Sequence, residues 1–199
     1  MVHSNSSVLQ GLENPVHDSG LLFRSVLDAI SRPGKICPCP ITIDVPHGLN
    51  MSAHCFALML CDIDTVLWLA GSCDTAETRK NLAFHCGSKF AETPAAADFV
   101  FAPISMPLDF LDELAIGTEI YPDRSCSVVF LVDDMEGGTP VTLKGPGIKT
   151  TTRFAPKGVP DAFWRWSVEN HRQFPQGVDV FFASPHAFAA LPRSTEVLF

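Results

Sequence analysis

Four apolar runs of strand length constrain this chain more than any other feature. They are 65–70 (TVLWLA), 98–102 (DFVFA), 126–132 (CSVVFLV) and 178–183 (VDVFFA). A strand with one wet face alternates apolar and polar residues, whereas a run such as TVLWLA has no wet face and needs cover on both sides. In the first half of the chain these runs alternate with helical patterns; hairpin signals dominate later. That mixture predicts an α/β layered domain built on a mixed β-sheet.

The pattern NPVHDSGLLFRSVLDAISRPG opens with Pro15 and Asp18, both suited to a helix start. Leu22, Val26, Ala29 and Ile30 share one helical face, with Phe23 and Leu27 beside it, and Pro33-Gly34 stops the helix. Residues 35–45 carry Pro38 and Pro40, so an edge strand is expected there, where missing ladder donors are tolerated. Residues 50–60 read as a short, almost wholly buried helix and 61–64 (CDID) as a turn. Asp74 and Glu77 form a D-x-x-E start for a helix running to about Phe84. Pro107 in a first turn predicts a helix over 107–114. Gly137-Gly138 predicts a hairpin returning from 126–132 to 139–143, and GPGI (145–148) a second turn into 149–154. Residues 161–171 form an aromatic-rich helix, and the tail carries short strands broken at Pro192. Residues 1–14 are polar and read as a flexible N-terminus; 15–199 read as a single domain.

Charge narrows the function classes. Lys plus Arg is 14 against 22 Asp plus Glu, a formal net charge of −8, which argues against a broad basic surface for nucleic acid. Only 18% of residues are charged and 46% are apolar, which excludes global disorder and leaves apolar surface to hide, in a large core or against a partner. No apolar run approaches the ~20 residues that span a bilayer. The N-terminus lacks a basic start followed by an apolar stretch, so the cytoplasm is the expected compartment. Seven cysteines, odd in number and irregularly spaced, read as reduced, mostly buried thiols rather than a disulfide framework.

No local motif supplies chemistry. Cys37-Pro-Cys39 has no second pair to complete a zinc site, so no metal is expected. His85-Cys86 adjacency points the two side chains apart, and no G-x-S-x-G pentapeptide is present. GPGI resembles an anion-binding turn, but its proline removes a donor and no nucleotide motif completes it, so a plain turn is expected. Asp62 and Asp64 fit self-bonding turn residues better than a Mg²⁺ site. Nucleophile, base and orienter do not converge anywhere, so no catalytic residue is assigned.

Taken in order, PVHDSGLLFRSVLDAISRPG, DIDTVLW (62–68), LAFHCG (82–87), ADFVFA (97–102), LKGPGI (143–148), FPQGVDV (174–180) and ALPRSTEV (190–197) resemble the PhnH family of the bacterial carbon–phosphorus lyase system. The resemblance covers about 15–197. The chain departs from the family pattern at Ser19-Gly20, where Ala-Gln is usual, at Cys86, where Thr is usual, and at Ser194, which also replaces a Thr.

The resemblance implies a three-layer α/β sandwich with a mixed sheet, similar to the PLP-dependent transferase fold but lacking the cofactor and its Schiff-base lysine. It also implies a homodimer that joins PhnG, PhnI and PhnJ in a core complex. In that complex an alkylphosphonate displaces adenine from the ribose of ATP, a ribose methylphosphonate triphosphate synthase step in organic phosphonate catabolism. PhnI is the catalytic component of that step, and the iron–sulfur cluster and radical cofactor belong to the partner PhnJ. This chain is then an accessory subunit with no cofactor of its own.

The alternative is a stand-alone phosphoester-binding protein or enzyme on the same scaffold, with Arg24, Asp64, His85 and Arg193 as ligand-binding candidates in one pocket. A PLP enzyme would need a Schiff-base lysine, and none of the six lysines stands in a suitable context. Exposed aromatics near Phe163, Trp164 and Trp166, and the edge at 37–40, are candidate contact surfaces, with burial of those aromatics in the core the stronger expectation.

Overall fold

The apolar runs become adjoining strands of one sheet. The structure, a computed structural model, describes residues 8–199. Its strands are β1 (Cys37–Pro38), β2 (Val66–Leu69), β3 (Lys89–Phe90), β4 (Phe99–Pro103), β5 (Ser127–Leu131), β6 (Val141–Lys144), β7 (Thr152–Phe154), β8 (Asp179–Ala183), β9 (Ala187–Leu191) and β10 (Glu196–Leu198). The α-helices are α1 (Pro15–Ser31), α2 (Met51–Leu60), α3 (Ala76–His85) and α4 (Asp161–Arg172).

Seven strands form a mixed sheet in the order β1-β9-β8-β5-β4-β2-β3. β3, β2, β4, β5 and β8 run parallel; at one edge β9 pairs antiparallel with β8, and β1 pairs antiparallel with β9. β6, β7 and β10 form a separate three-stranded antiparallel sheet. The expected α/β class with a mixed sheet is therefore observed.

Side-chain alternation sends the strand residues into two cores. Leu67, Leu69, Phe101, Val129 and Phe181 pack with Leu22, Val26, Phe56 and Leu82 from α1, α2 and α3. Val100, Val128, Phe130, Val180 and Phe182 pack with Phe163 and Trp164 of α4 and with Val141, Leu143 and Phe154 of the small sheet. In this second core Phe130 meets Phe163 edge-on at 5.5 Å and Phe154 meets Phe182 edge-on at 5.3 Å. Such pairs add about 0.5–1.5 kcal/mol each beyond the burial of their area. Phe163 and Trp164 are thus core, as the stronger expectation had it.

Local chemistry explains most element ends. Asn14 caps α1 by accepting from the His17 amide, while the Asp18 carboxylate accepts from the Asn14 amide, a reciprocal cap. Asn50 caps α2 by accepting from the Ala53 amide, and Ser52 to Ala57 are buried, as expected for that helix. The α3 start lies one residue later than expected. Thr75 is the cap, and Asp74 turns away to pair with Arg79, whose hydrogen bond holds its carboxyl below the usual range.

Two expectations are corrected. The strand at 126–132 does not turn back into a hairpin at Gly137-Gly138. β5 is apolar on both faces, and β4 and β8 take its two edges. β6 is buried only at alternate residues, so it suits a sheet covered on one face, where it pairs with β7 and β10. The segment 107–114 forms only a 3-10 turn, Asp109–Glu113. The expected edge strand shrinks to β1, and it does lie at the edge, against β9.

Of the flexible N-terminus expected over 1–14, residues 1–7 lie outside the described residues. The Leu9 amide donates to Asn81 Oδ1, and the Leu9 carbonyl meets His85 Nε2 at 2.8 Å.

His54, on α2, is fully buried, with Nδ1 3.2 Å from the Asp44 carbonyl and no partner for Nε2 among the described residues. Burial pushes its pKa down from 6.5 to about 4. Below pH 6.5 the unfolded chain therefore takes up a proton that the folded chain refuses, and stability falls until pH reaches about 4. The loss is roughly 3 kcal/mol at 1.36 kcal/mol per pKa unit. Urea unfolding at pH 7 and pH 5 should show the drop, and His54→Asn should flatten it. An unchanged slope in the variant would assign the pH dependence to other groups.

Candidate functional site

In an open parallel sheet, ligands bind outside the carboxyl ends of the strands, where the strand order reverses. Here the chain runs from β2 to β3 on one side and then to β4 on the other side of β2. The reversal lies between the carboxyl ends of β2 and β4. A cleft of about 480 Å³ opens there. Ser72 lines it from the turn after β2, Ser105 from the turn after β4, and Asp133 from the end of β5. His47 and Asn50 come from the approach to α2, and Lys157 from the loop after β7. Leu49, Ile104, Leu131 and Val132 supply apolar wall.

The mouth is positioned by hydrogen bonds of Asn50. Its Nδ2 donates to the Ala183 carbonyl at the end of β8, while its Oδ1 caps α2. The His47 carbonyl accepts from the Thr75 and Thr78 hydroxyls and so ties the cleft wall to α3. Gly48 between them has φ +112°, and a Cβ there would lie 2.7 Å from the Ser72 carbonyl oxygen, so the close approach of the two walls requires glycine.

Among the described residues, no hydrogen bond joins Ser72 or Ser105 to His47, Asp133 or Lys157. The cleft therefore lacks the linked nucleophile, base and orienter of an acyl- or phosphoryl-transfer centre. Its residues were missed in the sequence because none belongs to a motif. Their common signal is position: each of Ser72, Ser105 and Asp133 falls one to three residues after an apolar strand run.

The four candidates from the sequence lie elsewhere, and none lines this cleft. Arg24 is exposed on α1. Asp64 sits in the turn before β2, where its amide donates to Asp62 Oδ1, the self-bonded turn expected of those two residues. His85 ends α3 and is held by the Leu9 carbonyl. Arg193 pairs with Asp179 at 2.8 Å and also donates to the Pro122 carbonyl and the Ser125 hydroxyl. No hydrogen bond or ion pair joins any two of the four.

All seven cysteines are free, and six are buried. Burial pushes the Cys86 thiol up to about 11 and those of Cys73 and Cys126 up to about 12, which makes them poor nucleophiles. Cys39 is the exception: a hydrogen bond from the Cys55 thiol lowers it. Among the described residues no three His, Cys, Asp or Glu side chains are grouped to hold a metal ion. No helix among them is long and apolar enough to cross a membrane.

The family model described as "Bacterial phosphonate metabolism protein (PhnH)" matches residues 10–198. The chain belongs to the PhnH family. A Rhizobium meliloti (strain 1021) protein, "Alpha-D-ribose 1-methylphosphonate 5-triphosphate synthase subunit PhnH", is 36% identical over 184 residues, 92% of each chain. The "Putative C-P lyase subunit protein HtxG" of Stutzerimonas stutzeri is 26% identical over 175 residues, 88% of this chain and 83% of its own. The PhnH match at residues 10–198 spans both cores and all strands that build the cleft.

Proposed function

We propose that this PhnH-family chain is an accessory subunit of the carbon–phosphorus lyase core complex. In this role it supports transfer of an alkylphosphonate onto the ribose of ATP, with adenine released. The observation that carries the reading is the 36% identity to a synthase subunit over 92% of both chains. The cleft supports it, because it offers no linked acid–base machinery for the chemical step. The surface supports it too: α1 leaves Phe23 and Leu27 48% and 50% exposed, one turn apart, and Phe84 at the end of α3 is 69% exposed. Apolar side chains kept in water at this level suit faces that dock on other subunits.

In this reading the chain forms a homodimer, works in the cytoplasm, and meets PhnG, PhnI and PhnJ. It binds no cofactor itself; the iron–sulfur and radical chemistry lies on PhnJ. The likeness to the PLP-transferase fold belongs to the same proposal. Lys157, the one lysine lining the cleft, sits in an exposed loop rather than in a packed Schiff-base position.

Co-expression with the PhnG, PhnI and PhnJ proteins of the same source tests the reading. With the purification tag on PhnI, this chain should co-purify in fixed proportion. Its absence from an otherwise assembled complex would overturn the proposal.

A further inference from the structure

A subunit that only docks needs no cleft at the strand-order reversal, yet this chain keeps one of about 480 Å³, within the usual size range of small-molecule sites. Its charges are sparse and opposed. Lys157 supplies a cation and Asp133 a carboxylate, and neither has an ion-pair partner among the described residues. Ser72 and Ser105 add hydroxyl donors and acceptors from the two turns that flank the reversal. Ile104, Leu131 and Val132 give the same space an apolar wall.

We propose that this cleft binds a phosphorylated ribose, free or as part of a nucleotide. Lys157 faces the phosphoryl group, Asp133 accepts from the sugar hydroxyls, and the apolar wall carries the ring face. An ionised carboxylate only accepts hydrogen bonds, which suits a vicinal diol, and a lysine ammonium is a point charge that suits a phosphoryl oxygen. Lys157 is the one lysine or arginine lining the cleft, so it can meet one phosphoryl group. The choice of ribose among hydroxylated anions rests on the subunit reading above, whereas the cation, carboxylate and hydroxyl set rests on the cleft alone.

The test is titration of the purified full chain, followed by amide NMR shifts and calorimetry, with ribose 5-phosphate, AMP, ATP and alanine as separate probes. Ribose 5-phosphate and AMP should each saturate shifts at Ser72, Ser105, Asp133 and Lys157. Equal affinities would mark the sugar phosphate as the ligand, and tighter AMP binding would mark a nucleotide. Lys157→Ala and Asp133→Ala, both at exposed loop positions, should each weaken binding about tenfold, the worth of a charge-assisted hydrogen bond. Lys149→Ala, outside the cleft, should leave it unchanged. The proposal is overturned by the absence of saturable shifts with both phosphates, by alanine binding as well as they do, or by unchanged affinity in both cleft variants. Co-purification with the partner subunits would survive any of those results, so failure of the cleft and failure of the subunit reading are distinguishable.

Discussion

Gly147→Ala is expected to cost about 3 kcal/mol or more and to lower the melting temperature by roughly 10 °C. Gly147 lies in the GPGI turn with φ +82°, and a Cβ there would stand 2.0 Å from the Ser31 carbonyl oxygen at the end of α1 and 3.1 Å from Pro33 Cδ. Backbone of another element cannot yield that space without moving the turn. Gly145, two residues earlier, makes a similar approach to Ser194. The turn thus clamps the small sheet to the end of α1, a packing role rather than an anion cradle. Gly137→Ala is the matched control. Its φ is +88° but no atom lies within 4 Å of the added Cβ, so it should show only the backbone strain, about 1 kcal/mol. Thermal melts of the two variants check the pair. Equal melting temperatures would mean that the close approach carries no energy.

Asp179→Ala is expected to destabilise by about 2–3 kcal/mol. The carboxylate starts β8, and its Oδ1 accepts from both the backbone amide and Nε of Arg193, while Oδ2 accepts from Nη2. The Arg193 side chain is only 12% exposed and also holds the Pro122 carbonyl and the Ser125 hydroxyl, so its charge would be left partly buried without a counter-ion. Removing one member of a buried pair costs about 3–5 kcal/mol, and the 23% exposure of Asp179 discounts that figure. The double variant Asp179→Ala/Arg193→Met should cost less than the sum of the single changes. Strict additivity in denaturant melts would show that the two residues do not act together.

This network also shows what the sequence could not disclose. Arg193 is a candidate phosphate ligand in the sequence because a guanidinium pairs with phosphate, while an internal ion pair is the stronger reading of any single arginine. Its partners Asp179, Ser125 and Pro122 lie 14, 68 and 71 residues away, and only the folded sheet brings them together. The apolar runs were legible because burial on both faces leaves a local record in composition. So was the stop at Pro33-Gly34, which depends on neighbouring residues alone. Strand partnership leaves no such record. The chain does bend at Gly137-Gly138, but β6 pairs with β7, reached through the GPGI turn, and β5 is already paired on both edges. The cleft is an intermediate case. Ser72, Ser105 and Asp133 follow apolar runs in the sequence, yet they form a set only once β2, β4 and β5 are known to be parallel and adjacent.

The structure and the family membership fit a subunit whose surfaces matter more than any reactive group. Its cleft has hydroxyls, a cation and a carboxylate but, among the described residues, no hydrogen-bonded proton relay, while apolar residues on α1 and at the end of α3 remain in water. The native mass of the complex assembled by co-expression with PhnG, PhnI and PhnJ tests that account most directly. The predicted spectrum contains this 21.6 kDa chain in every fully assembled species and loses those species when Phe23→Asp and Leu27→Asp are introduced together on α1. A complete PhnG–PhnI–PhnJ assembly that never carries the 21.6 kDa chain, with the chain present beside it as a free monomer, would contradict it.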